Sequence, residues 1–205
     1  KGLGFNLRLG LTSCKHVGVF PEQAPNWEYI YSHCKPGMKV LNLFAYTGGA
    51  TLAARAAGAD VTHLDSVRQV VNWARGNMDK SGMDGIHWVV EDAMKFVRRE
   101  AKRGRLYDGI ILDPPAYGHG PDGERWKLDD CLFDMLREVN KILSDKNSFM
   151  VLNLYSNGYS ALFGETIVKE ALGLKGDYKM ESGELALRDR FGKNLPLSIV
   201  VRLAR

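Results

Sequence analysis

From Met38 onward, short apolar runs alternate with amphipathic stretches, the pattern of strands covered by helices. Lys39 to Phe44 reads as a first strand, and Gly48 to Ala57 as a small-residue helix ended by Gly58. Asp60 to Asp65 is a second strand. Val67, Val70, Val71, Ala74 and Met78 then recur with a helical period that stops near Gly82. Ile86 to Glu91 is a third strand, Ala93 to Arg103 a basic helix, and Tyr107 to Asp113 a fourth strand. That strand runs into Pro114-Pro115, where no ladder donor remains. Leu128, Cys131, Leu132, Met135, Leu136, Val139, Ile142 and Leu143 form the cleanest amphipathic stripe. Ser148 to Leu154 is a fifth strand and Tyr159 to Leu172 a helix closed by Gly173. Residues 178–188 and 197–204 form a final hairpin joined around Gly192 and Pro196. The expected class is α/β: a sheet parallel until its last member, with helices on both faces. Residues 1–37 break the alternation and read as an N-terminal appendage ahead of a main domain over 38–205. In it, Phe5 to Leu11 and Val17 to Phe20 suggest a small hairpin, followed by a helix opened by Pro21 or Pro25.

Composition narrows this further. With 205 residues, 45% hydrophobic and 25% charged, the chain has the make-up of a folded domain and not of a disordered or fibrous one. Its longest apolar runs are far short of the roughly 20 residues that cross a bilayer, so no membrane partner is expected. Cys14, Cys34 and Cys131 stand apart without paired spacing, which argues against a disulfide framework or a metal site and for a reducing cytoplasm. A net charge of +4 leans mildly toward polyanions. The chain opens with Lys1 and no signal pattern follows, so further sequence upstream is expected. Oligomeric state is not legible.

Chemistry collects at strand ends, because an open parallel sheet binds ligands outside its carboxyl edge. The first strand ends in Phe44-Ala45-Tyr46-Thr47-Gly48-Gly49, where two glycines open a helix and bare backbone can meet a ligand. The second ends in Asp65-Ser66 and the third in Glu91-Asp92-Ala93. A carboxylate past the second strand can accept two ribose hydroxyls, and one past the third an adenine amino group. Each could equally be a helix cap. Adjacent glycines do not match the G-x-G-x-x-G that seats the diphosphate of NAD, so S-adenosylmethionine leads and an NAD-dependent oxidoreductase is the alternative. The fourth strand end, Asp113-Pro114-Pro115-Ala116-Tyr117, aims acceptors and an aromatic ring at a planar amine or base.

These residues carry a resemblance. Leu41 to Gly49, Tyr107-Asp108 through Pro115, and Lys15-His16-Val17-Gly18-Val19-Phe20-Pro21-Glu22-Gln23 resemble the class I S-adenosylmethionine-dependent methyltransferases that modify bases of large-subunit ribosomal RNA. The resemblance implies a Rossmann-like sheet. It implies that Phe44, Tyr46, Thr47, Gly48, Gly49, Asp65, Ser66, Asp92 and Ala93 bind the cofactor while Gln23 helps cover it. Asp113, Pro114 and Tyr117 would act on the base, with Pro115 facing it; apart from the resemblance, Trp126 and Lys127 on the loop after the motif are expected to touch the ribosomal RNA substrate. Members that methylate carbon 5 of cytosine carry a cysteine where this chain has Ser156, and that carbon needs a thiolate to activate the ring. A base nitrogen needs none, so nitrogen is the expected acceptor. An idle RNA-binding module is a third reading. The loop from Gly118 to Asp130 is expected to favour substrate. The run Lys95, Arg98, Arg99, Lys102, Arg103 and Arg105 reads as a solvated face before it reads as a phosphate grip.

Overall fold

The computed structural model describes residues 3–10, 17–155 and 158–205. After a 3-10 turn at Pro21–Gln23, α1 spans Ala24–His33, with Pro25 in its first turn where a missing N–H costs nothing. Then come β1 (Lys39–Leu43), α2 (Gly49–Ala56), β2 (Asp60–Asp65), α3 (Arg68–Lys80), β3 (Ile86–Val90), α4 (Ala93–Lys102) and β4 (Gly109–Leu112). The short strands β5 (Tyr117–His119) and β6 (Arg125–Lys127) precede α5 (Leu128–Asn140), β7 (Phe149–Leu154), α6 (Ala161–Leu172), β8 (Lys179–Arg188) and β9 (Asn194–Ala204). Seven strands form one sheet in the order β3-β2-β1-β4-β7-β9-β8. Strands β1 to β4 and β7 pair in parallel, and β9 lies antiparallel to both β7 and β8. The order reverses between β1 and β4, which marks the carboxyl end of these two strands as the crevice of the fold.

Both faces of the sheet are covered. Val97 of α4, Leu132 and Met135 of α5 and Val168 of α6 bury one face with Leu41, Leu43 and Ile110. Ile30 of α1 and Ala53 of α2 bury the other with Val40, Val61 and Ile111. Residues 24–34 therefore share a core with the sheet. Among the described residues no helix is long and apolar enough to cross a membrane.

Six expectations change. The segments at 5–10 and 17–20 form no strand ladder among the described residues; a single backbone bond joins Gly10 N–H to Val17 O. Residues 3–10 instead run extended along α3, with Asn6 N–H donating to Ser81 Oγ and Arg8 N–H to Asn77 Oδ1. Leu11, Cys14, Lys15 and His16 lie outside the described residues. The fourth strand stops at Leu112, one residue before the prolines force it to. The amphipathic helix ends at Asn140 and not Leu143, and α6 begins at Ala161 because Ser160 caps it, accepting from Phe163 N–H. Residues 117–127 are a hairpin and not an open loop. Pro196 lies inside β9, tolerated where the β8–β9 register shifts at Leu185/Ala186.

Candidate active site

The tip of β1 is bent hard. Phe44 and Tyr46 hold φ of +56° and +48°, a left-handed backbone that costs side-chain-bearing residues roughly 1–3 kcal/mol each. Gly48 follows at φ +89° and caps α2, where glycine has no such penalty. Long-range bonds hold the bend: Ala45 N–H donates to Leu64 O, Thr47 Oγ1 to Gly18 O at 2.6 Å, and Asn77 Nδ2 to Thr47 O at 2.9 Å. The second glycine serves packing. A Cβ on Gly49 would lie 2.7 Å from the Trp27 ring, so the aromatic of α1 occupies the bare backbone at the start of α2.

A cavity opens between this bend and the ends of β4 and β7. Gln23, Phe44, Tyr46, Thr47, Gly48 and Gly49 line it. So does Asp113. Its Oδ1 accepts from Asn153 Nδ2 at 2.8 Å, and Asn153 Oδ1 in turn accepts from Ser198 Oγ at 2.9 Å. Burial pushes the Asp113 carboxyl up to about 7; the Asn153 bond opposes this and the charge of Glu22 adds to it.

Glu22 is itself buried and accepts from the Tyr155 hydroxyl at 2.8 Å, while Gln23 Nε2 donates to that hydroxyl at 2.9 Å. Asn26 Nδ2 donates to Gln23 Oε1, and Arg202 donates to Asn26 Oδ1. The Phe20 ring leans on both Tyr46 and Tyr155, with centroids 5.6 and 5.3 Å away. Burial and the charge of Asp113 raise the Tyr155 phenol far above its ordinary value, so it stays a neutral hydroxyl. Glu22, Asn26, Trp27, Asn42, Asn153 and Tyr155 were not singled out from sequence.

The other strand ends behave differently. Asp65 Oδ2 accepts from Tyr46 N–H and Oδ1 from Val67 N–H, each at 2.9 Å, so it braces the β1 bend. Burial raises its pKa, and these backbone bonds oppose the rise. Asp92 caps α4 by accepting from Lys95 N–H at 2.8 Å. Neither they nor Ser66 and Ala93 line the cavity. Beneath the bend, Asn42 Nδ2 donates to Thr51 Oγ1, and Thr51 Oγ1 lies 2.8 Å from His63 Nδ1. Burial depresses the His63 pKa to about 3, leaving a neutral ring.

Past Asp113, Pro114 is buried and Pro115 exposed. Tyr117 is 71% exposed. Trp126 turns inward: its Nε1 donates to Pro115 O at 2.7 Å and its ring meets Phe44 at 4.8 Å, so it is a strut under the motif. Lys127 pairs with Asp130 at 3.0 Å. The basic run is largely neutralised: Lys95 binds Asp122 and Glu124, Arg98 meets Glu138, Arg99 clasps Glu91, and Arg103 and Arg105 share buried Glu100. Ser156 lies outside the described residues.

The residues around the cavity suit a nucleoside with an amino-acid tail: backbone of a glycine turn, side-chain amides and apolar surface from Phe20, Trp27 and Ile111. A dinucleotide fits poorly, because Trp27 fills the helix start where a diphosphate would sit. Comparison with known proteins agrees. The chain is 40% identical to a SAM-dependent methyltransferase crystal structure from Agrobacterium tumefaciens, at a TM-score of 0.92 over 98% of this chain and 68% of that one. It superposes with a TM-score of 0.78 on SMU.776, a methyltransferase solved with SAH; there 19% identity over 92% of this chain and 50% of that one shows shared fold alone. It is 29% identical over 154 residues to a ribosomal RNA large subunit methyltransferase K/L of Shewanella frigidimarina, covering 73% of this chain and 21% of that protein. A second such enzyme, of Magnetococcus marinus, is 33% identical over 120 residues, 57% of this chain and 16% of its own length. The chain thus spans about a fifth of the length of the curated relatives it matches. Residues 1–180 match the S-adenosylmethionine-dependent methyltransferase family, and the chain belongs to it.

Proposed function

We propose that the chain methylates a base nitrogen of large-subunit ribosomal RNA in a reducing cytoplasm. The observation that carries this reading is Asp113, a recessed acceptor at the end of β4 with a pKa near 7, set between the β1 bend and an exposed Pro115. When bound, S-adenosylmethionine supplies an electrophilic methyl group on a sulfonium. Gln23 and the Phe44–Gly49 bend would hold it, and Asp65 and Asp92, outside the cavity lining, would meet its ribose and adenine with the lone pairs that their backbone bonds leave over. Asp113 then orients the base by accepting its N–H, and as a carboxylate of matched pKa it takes the proton that leaves. Tyr117 offers a ring for the displaced base, and Pro114 holds the motif rigid.

A covalent route has little support. Among the described residues, Cys34 sits at the far end of α1, where burial pushes its thiol up to about 12, and Cys131 packs against the core. The relatives named as large-subunit methyltransferases support ribosomal RNA as the substrate. The test is transfer from labelled S-adenosylmethionine to ribosomal RNA from cells lacking this protein, with the nucleoside identified by mass spectrometry. An N-methylated base is expected. A 5-methylcytosine product or an adduct trapped on 5-fluorocytosine RNA overturns the nitrogen assignment, and no transfer at all favours an idle binding module.

A further inference from the structure

The β8–β9 hairpin outruns the sheet. β9 pairs with β7 only from Ile199 to Ala204, while residues 194–198 pair with β8 alone. Leu154, the last residue of β7, sits opposite Ile199, so the remainder projects past the carboxyl edge on the side of the cavity. Its base is fixed by buried Leu185, Ile199 and Val200, and β8 touches the Pro21–Gln23 turn.

The tip is shaped as firmly as the base. Asp189 Oδ1 accepts from both Phe191 N–H and Lys193 N–H at 2.8 Å, and Asp189 N–H donates to Lys193 O. This turn holds Phe191 outward, 74% exposed, with the Arg190 guanidinium 4.7 Å from its ring centre. Arg188 packs over Gly192. Among the described residues no ion pair neutralises Arg188, Arg190 or Lys193, in contrast to the basic run on α4. The core of the fold gives no reason for an exposed aromatic on a turn that carries three cations without an ion pair.

We infer that the hairpin tip is an RNA-docking arm that holds phosphates with Arg188, Arg190 and Lys193 and stacks an unpaired base on Phe191. The inference rests on the reading of the chain as a ribosomal RNA methyltransferase. Filter binding of labelled large-subunit ribosomal RNA at several salt concentrations tests it. Replacing Arg188, Arg190 and Lys193 by alanine should weaken binding about tenfold or more and flatten the log–log salt slope by about 2. Phe191→Ala alone should weaken binding about fivefold to tenfold with the slope unchanged. S-adenosylhomocysteine affinity and Tm, measured on the same variants, should stay at wild-type values.

Binding within twofold of wild type in both variants overturns the inference. So does failure of the wild-type chain to bind this RNA, or a dimer in sedimentation that Phe191→Asp dissolves. Transfer from labelled S-adenosylmethionine to the same RNA separates the two readings. Arm variants that lose RNA binding while the wild type transfers no methyl uphold the arm and refute the substrate. Efficient transfer with an unchanged KM in the variants does the reverse.

Discussion

On the two sides of β1, carboxylates at strand ends have opposite surroundings. Toward β2 and β3, Asp65 and Asp92 spend their oxygens on backbone N–H groups of the β1 bend and of α4. Toward β4 and β7, Asp113 has one neutral amide donor and a second buried acid, Glu22, as its neighbours. At Asp65 the backbone donors oppose the effect of burial and build the scaffold; at Asp113 burial beside another carboxylate holds the proton near neutrality. Asp65 and Asp113 are both buried, so pairing makes the difference: the poorly paired half of the edge is the half suited to moving a proton, and the well-paired half gives the pocket its shape.

The sharpest break of this contrast is Asp113→Asn. It should lower turnover by about 10²-fold or more with S-adenosylhomocysteine affinity within twofold, read by steady-state kinetics and calorimetry. Stability should move the other way. The Asp113 pKa lies above its ordinary value of 3.8 in the folded chain, so protonation favours folding. That contribution is complete below about pH 4 and is lost as pH rises to about 7, at about 1.4 kcal/mol per pKa unit. At pH 8 the asparagine variant should therefore have the higher Tm. Activity of the wild type should climb through pH 7 as the carboxylate forms. His63 acts oppositely: depressed to about 3, it leaves the unfolded chain to bind the proton first, so stability held above about pH 6.5 falls on acidification.

Asp65→Ala comes next. If its free lone pairs meet the ribose, affinity for the cofactor product should drop about tenfold to a hundredfold, on the order of 1.5–3 kcal/mol. Unchanged affinity with a lowered Tm would leave Asp65 as a brace for Tyr46 and Val67 alone. Tyr155→Phe removes the hydroxyl between Gln23 and Glu22 and should weaken that affinity roughly threefold to tenfold, with stability lowered by about 1–3 kcal/mol. Trp126→Phe has the smallest effect: it keeps the packing on Phe44 but leaves Pro115 O without its donor. Turnover should fall about threefold, and a larger fall than that of Asp113→Asn would show that motif rigidity outweighs the carboxylate.

The sheet was legible because its signals are local. Period and glycine stops place β1 to β4 and α2 to α5 within a few residues, and Asp-Pro-Pro marks the end of β4 by stereochemistry alone. The cavity was legible as far as the β1 bend and Asp113. What escaped depends on partners distant in sequence. Tyr155 lies 133 residues from Glu22, and no pattern announces that pair. Trp126 looked free for substrate because a three-residue strand is too short to show alternation. The use of Asp65 as a brace depends on a backbone N–H 19 residues away. The described residues before Pro21 are strand-like but tie to side chains of Asn77, Ser81 and Thr47, which strand propensity does not foresee.

That segment also sets an order of events. Its ties reach from Asn6 to Ser81, Arg8 to Asn77 and Gly18 to Thr47, and Gly18 fits only because it has no Cβ to meet the Trp73 ring at 2.4 Å. Each tie needs α3 and the β1 bend already in place as its docking surface. Closing such wide loops is slow unless the surface they land on has formed. On refolding, far-UV circular dichroism should therefore recover before S-adenosylhomocysteine binding does, and Gly18→Ala should lengthen that lag while sparing the early phase. The strap that lays Val19 and Phe20 against the cavity is then the clock of its assembly: the sheet can exist without a site, and the site is finished last.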